Sequence, residues 1–268
     1  MDGGIDVADL EARLILSRRA DLGWADIIAR PDMDISNKQL NNIESDVSER
    51  LKGMPLSRLY GEKQFWGLDF ALSPETLDPR PDTEILVEQA LKAFKAAPPI
   101  TILDLGTGTG CILISLLSEW KQSRGVGVDV SSGALKTAQN NAKTHGVDAR
   151  ASFIQSDWFD SIEGKFDLIV SNPPYIAAEI IPNLSKEVKN HDPILALEGG
   201  HDGLQAYKKI FSSLKSHLNP HGKALLEIGF DQREDVARLA EESDFFVKDV
   251  HLDLAGKPRV VEISCGDK

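Results

Sequence analysis

From Ile100 onward, short apolar runs alternate with amphipathic stretches, and this alternation constrains the fold more than any other feature of the chain. "ITILDLG" reads as a strand buried on both faces, because its apolar residues are nearly continuous. "CILISLLSEW" follows as a helix, "GVGVDV" as a strand and "SSGALKTAQNNAKTHG" as a second helix. "ASFIQSD", "FDLIVS" and "KALLEIG" add three strands, with helices over 203–217 and 231–241. The tail supplies "FFVKDVHL" and "PRVVEIS", two strands divided by the turn-prone "DLAGK". The pattern predicts an open, mostly parallel α/β sheet of seven strands with an antiparallel pair at its end. Ligands of such sheets bind beyond the carboxyl ends of the strands.

The chain upstream of this region has a different character. "DVADLEARLILSRRA" places Val7, Leu10, Leu14 and Ile15 on one helical face, and "ISNKQLNNIESDVSERLKG" does the same for Leu40, Ile43, Val47 and Leu51 before Gly53 ends it. In "MPLSRLYGEKQFWGLDFALSP" the aromatics Tyr60, Phe65, Trp66 and Phe70 lie near glycines, which reads as a short hairpin linking two domains. "DPRPDTEILVEQALKAF" then opens a helix that Asp82 or Thr83 can cap, with Leu86, Ala90, Leu91 and Phe94 on its buried side. The expected division is a helical domain over 1–58, a hairpin linker over 59–78 and an α/β domain over 79–268.

Composition narrows the function classes. The net charge of −12 argues against broad binding to duplex nucleic acid, which needs a basic surface, and favours a basic protein partner. No apolar run approaches the roughly 20 residues of a membrane span. The start "MDGGIDVADLEARL" lacks a basic segment followed by an apolar one, so no secretion signal is expected. Two cysteines give no disulfide framework, which fits a reducing cytoplasm.

The strongest local signal is "LDLGTGTGC", where Gly106, Gly108 and Gly110 alternate between a strand and a helix. Glycines let a ligand approach the main chain closely. The spacing is not the dinucleotide G-x-G-x-x-G, and no Lys-Ser/Thr follows to make a phosphate loop. Asp104, two residues before the first glycine, would repel a pyrophosphate but suits a ligand carrying an ammonium and a sulfonium. Asp129 closes the next strand, where a carboxylate can accept hydrogen bonds from both hydroxyls of a ribose. After the third strand, Asp157 could accept from an adenine amino group while Trp158 lies against the ring. Each feature also has a plain structural role: a turn, a helix cap, a core aromatic. Their coincidence at successive strand ends points to an S-adenosylmethionine site, with Thr107 and Thr109 between the glycines.

"SNPPYI" ends the fourth strand, and its two prolines stop that strand. Their rigidity also fixes where Asn172 and Tyr175 point. A planar –NH2 on a carbonyl or aromatic ring is a poor nucleophile because its lone pair is delocalised. The Asn172 side-chain oxygen and the Pro173 carbonyl could accept its two hydrogens and aim the lone pair at a methyl donor, with Tyr175 packing on the plane. No metal is required. His217 and His221 have i, i+4 spacing, but Pro220 between them breaks the helix, and "EGGHDG" reads as a loop bracing the active site.

The four-residue segment resembles that of the amino-methyltransferases, which act on adenine, cytosine or glutamine. "GEKQFWGLDF", "PRPDTEILVE", "LDLGTGTG", "SNPPYI", "HDPILALEGGHDGLQAYKKI", "EIGFDQ" and "DLAGKPRVV" together resemble the HemK/PrmC family of peptide chain release factor glutamine methyltransferases. That resemblance implies a class I S-adenosylmethionine-dependent methyltransferase fold, Rossmann-like, with a small N-terminal helical substrate-binding domain. It implies methylation of the side-chain amide of the glutamine in the Gly-Gly-Gln motif of class 1 release factors, modulating translation termination, with S-adenosyl-L-homocysteine as co-product. By the same resemblance Gly106, Thr107, Gly108, Thr109 and Gly110 line the donor, Asp129 holds the ribose and Trp158 flanks the adenine. Asn172, Pro173, Pro174 and Tyr175 hold the glutamine amide, with Asn172 also bordering the cofactor. "PRPDTE" is similar to a stretch lying over the active site, giving Arg80 either a substrate contact or a place in a rigid turn. "PLSRLYG" departs from the family pattern, in which an aromatic stands nearer the proline. A cytoplasmic monomer without membrane or direct nucleic-acid contact is expected. The alternative is an adenine-N(6) nucleic-acid methyltransferase, which would be expected to carry a basic target-recognition region that this acidic chain lacks.

Overall fold

The computed structural model describes residue 5 and residues 7–30 and 32–266. The chain divides into two compact units, one over 1–61 and one over 62–268.

The first unit holds four helices among its described residues: α1 (Ala8–Ala20), α2 (Trp24–Ala29), α3 (Asn37–Leu51) and α4 (Leu56–Tyr60). Ser36 starts α3 with a reciprocal cap: its hydroxyl accepts from the Gln39 N–H at 3.3 Å, and its own N–H donates to the Gln39 side chain at 2.9 Å. The buried residues of α1 are Ile15 and Ala20, and those of α3 are Asp46 and Arg50. Arg50 donates to Glu11 at 2.6 Å, while Asp46 accepts from Arg19 at 2.6 Å and from the Tyr60 hydroxyl at 2.7 Å. Burial pushes the Asp46 carboxyl up, but these two donors outweigh it and leave it below the usual carboxylate value. The apolar faces expected on these helices are therefore only partly inside. Ile15 is buried, whereas Val7, Leu10, Leu14, Leu40, Val47 and Leu51 are each at least 38% exposed. The row of side chains sandwiched between the helices is the ion-pair row, which displaces the leucines outward.

The second unit opens with a hairpin, β1 (Glu62–Phe65) and β2 (Leu68–Ala71), which lies within the 59–78 segment. Trp66 and Gly67 both have positive φ, the two-residue turn whose twist matches antiparallel strands. Phe65 and Phe70 are buried, and Asn141 clasps both the N–H and the carbonyl of Ala71. A 3-10 turn over Pro81–Thr83 then leads into α5 (Glu84–Ala93). Neither Asp82 nor Thr83 caps it through its side chain, contrary to expectation.

The rest is one seven-stranded sheet, ordered β5-β4-β3-β6-β7-β9-β8. Its members are β3 (Thr101–Leu105), β4 (Arg124–Asp129), β5 (Ala151–Gln155), β6 (Phe166–Ser171), β7 (Leu218–Glu227), β8 (Phe246–Leu252) and β9 (Pro258–Ser264). All neighbours are parallel except β9, which runs antiparallel between β7 and β8. The connecting helices are α6 (Cys111–Glu119), α7 (Ser132–Thr144), α8 (Lys186–His191), α9 (Gln205–His217) and α10 (Arg233–Glu242). Strand residues alternate between two cores: Leu103, Ile169 and Leu226 pack with α9 and α10, whereas Ile102, Leu168 and Leu225 pack with α5 and α6. Two covered faces explain why the strands read as continuous apolar runs. Strand order reverses between β3 and β6, so a crevice opens at their carboxyl ends. Among the described residues no helix is long and apolar enough to cross a membrane.

Candidate active site

A cavity of about 480 Å³ occupies that crevice, within the size range of small-molecule sites. Its floor is the loop from β3 to α6, where Gly106, Gly108 and Gly110 all have positive φ, a conformation that costs other residues steric strain. Gly106, Thr107, Gly108 and Thr109 line the cavity. Gly110 lies deeper, where an added Cβ would fall 2.9 Å from Ile114 and 3.1 Å from Ala138. Its role is to let α6 and α7 approach.

Asp129, at the end of β4, accepts the Gly108 N–H and the Ser131 N–H at 2.9 Å each, one per carboxylate oxygen. Burial raises its pKa against these bonds. A carboxylate has about four acceptor sites, so each oxygen keeps one for a ligand hydroxyl. Trp158 lies over Gly106, its ring 4.0 Å from where a Cβ would stand, and is held at a positive φ of 53°. Asp157 also borders the cavity, with one oxygen 2.7 Å from Lys209. Asp104 does not line it. That residue is wholly buried beneath the loop, where it accepts the Thr107 hydroxyl at 2.6 Å and draws on the Leu113 N–H in the first turn of α6. Burial pushes its carboxyl up to about 7. The expected direct contact between Asp104 and a cationic ligand is thus replaced by support of the loop from below, the opening of the helix having drawn the carboxyl inward.

Asn172 borders this cavity and a second one, which Leu77, Arg80, Tyr175, Ile176 and Glu227 help to line. Its side-chain nitrogen donates to the Thr83 hydroxyl oxygen at 3.1 Å, which leaves the amide oxygen as the edge open to the cavities. Pro173 is buried, Pro174 lines the first cavity and Tyr175 the second. Tyr175 stands 3.4 Å from Glu227 through its hydroxyl, which burial and that acid push well above its ordinary pKa. The loop over 198–203 braces the segment as its sequence led one to expect. Ile176 exchanges hydrogen bonds with Leu197 and Gly199, and Gln232 donates to the Tyr175 carbonyl at 3.0 Å. Arg80 is paired with Asp192 at 2.5 Å, strapping the 3-10 turn to the segment after α8 while it borders both cavities.

A family model described as Methyltransferase small domain matches residues 71–190, and one described as PrmC N-terminal domain matches residues 1–61. The release factor glutamine methyltransferase of Agrobacterium fabrum is 43% identical over 261 residues, covering 95% of this chain and 90% of its own. The chain belongs to the release factor glutamine methyltransferase family. The corresponding protein of Cereibacter sphaeroides is 41% identical over 258 residues, covering 96% of this chain and 91% of its own. Among solved structures, a methyltransferase from Pyrococcus furiosus superposes with a TM-score of 0.58 at 19% identity, over 84% of this chain and all of its own. A ribosomal protein L11 methylase from Lactobacillus delbrueckii does so at 0.53 and 22%, over 72% and 83%. Both speak to the fold, a class I methyltransferase sheet.

Members of this family are S-adenosylmethionine-dependent enzymes, and so is this one. The first cavity fits that cofactor. A glycine-rich floor, the unused acceptor capacity of Asp129 and the Trp158 ring suit a nucleoside, and at the rim Asp157 is paired with Lys209. Sequence reasoning overlooked Thr83, Glu227 and Gln232. Glu227 carried a readable signal, an acid at the end of the apolar run "KALLEIG", whereas Thr83 was disguised as a helix cap.

Proposed function

We propose that the chain transfers a methyl group from S-adenosylmethionine to the side-chain amide nitrogen of the glutamine in the Gly-Gly-Gln motif of peptide chain release factors. The observation that carries this reading is the posture of Asn172, whose amide nitrogen is occupied by Thr83 while its oxygen remains open where the two cavities meet. In this reading Asn172 and the Pro173 carbonyl accept the two hydrogens of the glutamine –NH2, turning its lone pair toward the first cavity. Bound there, S-adenosylmethionine would supply an electrophilic methyl group on a cationic sulfur; as the N–C bond forms the C–S bond breaks to give S-adenosyl-L-homocysteine, and one amide proton passes to solvent. Gly106, Thr107, Gly108, Thr109, Asp129, Asp157 and Trp158 hold the nucleoside end, with Asp104 and Gly110 shaping the loop. Pro174 and Tyr175 pack on the amide plane, and the Arg80 strap shields it from water. The partner is a class 1 release factor in the cytoplasm, and the enzyme acts as a monomer.

Labelled S-adenosylmethionine, offered with a release factor and with duplex DNA, tests the proposal. Label is expected on the factor and should vanish when the motif glutamine is changed. Label on DNA alone, or label that survives that change, would overturn it.

A further inference from the structure

Glu227 closes β7 at the wall of the second cavity, a space of about 340 Å³ that it borders together with Asn172 and Tyr175. The residue is 1% exposed, yet only one of its carboxylate oxygens is engaged, at 3.4 Å from the Tyr175 hydroxyl. The other is buried and meets no hydrogen-bond donor among the described residues. Arg259 offsets the charge from β9, but its guanidinium bonds Asp253 at 3.0 Å and Asp82 at 3.1 Å. Buried carboxylate oxygens are nearly always paired, because an orphan loses its hydration without return. Leu77, Leu184, Val188 and Leu197 supply apolar wall, so the cavity is a slot with an unclaimed acceptor at its side. The last torsion of a glutamate is soft, and the carboxyl can turn that oxygen toward an entering group.

We propose that this oxygen is reserved for the protein substrate: Glu227 accepts a main-chain N–H of the segment that carries the acceptor glutamine, and so helps to select that segment. The role rests on the glutamine reading above. A Gly-Gly-Gln segment carries few donors. Its glycines have no side chain, and the two hydrogens of the glutamine –NH2 fall to Asn172 and the Pro173 carbonyl in that reading. What remains is the main chain, whose N–H groups are neutral donors. A glutamate in place of the glutamine would instead bring a second carboxylate toward a buried acid.

Burial pushes the Glu227 carboxyl up to about 7; Asp82 of the 3-10 turn adds to the rise, Arg259 and the Tyr175 hydroxyl oppose it, and Arg80 borders the same cavity. An accepted N–H favours the ionised carboxyl, so substrate binding expels a proton near neutrality and tightens as pH rises.

Glu227→Met removes the acceptor and the charge at similar length. Its urea midpoint should equal or exceed that of the wild type, since the burial cost is relieved. The KM for a release factor should rise on the order of tenfold with kcat little changed, the scale of a hydrogen bond to a charged group, while the Kd for S-adenosylhomocysteine stays within about threefold. A wild-type KM in the folded variant overturns the proposal, and lower stability beside it would assign the acid to balancing Arg259. Calorimetric binding of a release factor to enzyme loaded with S-adenosylhomocysteine should tighten from pH 6 to pH 8 more in the wild type than in Glu227→Gln, which keeps the shape and cannot ionise. A Glu227→Gln protein with the pH dependence of the wild type overturns the role even if methionine at this position prevents folding. If the wild type fails to methylate a release factor, the glutamine reading and this role fall together; if it is active and either overturning result is found, the role of Glu227 falls alone.

Discussion

Alanine at Gly199 would drive a methyl group into the backbone of the Asn-Pro-Pro-Tyr segment. A Cβ built there stands 2.7 Å from the Pro174 carbonyl oxygen, 2.8 Å from that of Gly203 and 2.9 Å from the Tyr175 Cα. Ordinary contact begins near 3.4 Å, so the neighbours must retreat by 0.5 to 0.7 Å. None of the three is the end of a flexible side chain. Gly199 cannot retreat easily either, because its N–H is bound to Ile176 at 2.8 Å and its carbonyl to Gln205 at 3.0 Å. The strain should cost about 1–3 kcal/mol of stability, as overpacking does. A reacting group displaced by 1 Å loses about 10²-fold in rate, so a shift somewhat smaller should lower kcat on the order of 10- to 50-fold. Gly199 and Pro174 border the first cavity only at its wall, whereas the glycine floor and Asp129 lie on other loops, so the calorimetric Kd for S-adenosylhomocysteine should move less than kcat does. Gly146→Ala is the control: Gly146 has φ +67° with nothing within 4 Å of an added Cβ, so it should lose about 1–2 kcal/mol with kcat unchanged. Steady-state methylation of a release factor and urea unfolding would measure both variants. A Gly199→Ala enzyme with wild-type kcat would refute the claim that the loop fixes the segment.

Asn172→Ala should lower kcat on the order of 100-fold or more while leaving S-adenosylhomocysteine binding nearly intact; turnover close to wild type would remove the residue from the chemistry. Trp158→Ala should weaken S-adenosylhomocysteine about tenfold by calorimetry through loss of the ring over Gly106, and an unchanged Kd would assign Trp158 to packing alone. Asp104 titrates near 7 when folded and near 3.8 in its ordinary state, so between pH 4 and 7 the folded protein holds a proton that the unfolded chain has lost. This group's contribution to stability therefore declines with rising pH through that window, and Asp104→Asn removes that share of the decline. In urea unfolding, the stability of the variant relative to wild type should rise from pH 5 to pH 8, and a flat or falling difference would contradict the buried ionisation.

What was legible in the sequence obeyed local rules. Glycines at alternate positions after β3 signalled left-handed backbone, apolar continuity signalled a sheet covered on both sides, and two prolines after β6 signalled a rigid strand end. Each of these is set by residues within one turn or one strand. The misreadings arose where a side chain satisfies a partner distant in sequence. Asp104 lies on the strand side of the loop, so its proximity to the glycines suggested a ligand contact, yet the loop turns the Thr107 hydroxyl onto it and the first turn of α6 offers the Leu113 N–H instead. Thr83 meets Asn172 across 89 positions, and spacing alone could not prefer that bond to a cap three residues away. In the first unit, leucine periodicity identified the helices, but the ion pairs of Arg50 and Arg19 took the sandwiched positions.

These failures share a signature that is itself readable. An acid ending an apolar strand, or a threonine in a capping position behind a rigid Pro-Asp turn, violates the local expectation without visible compensation, and such conflicts concentrate at functional sites. Glu227 and Thr83 are two such violations: Thr83 bonds the Asn172 amide, and Glu227 lines the second cavity with it. Burying a carboxyl at the end of β7 opposes folding unless its neighbours compensate. The compensation here is partial: the Tyr175 hydroxyl stands 3.4 Å from one carboxylate oxygen and Arg259 offsets the charge from a neighbouring strand, but the other oxygen is buried without a hydrogen-bond partner among the described residues. An apolar residue at 227 would spare the fold that cost. A buried acid kept at the wall of the second cavity, beside Tyr175 of the Asn-Pro-Pro-Tyr segment, is a stability cost borne at the proposed site.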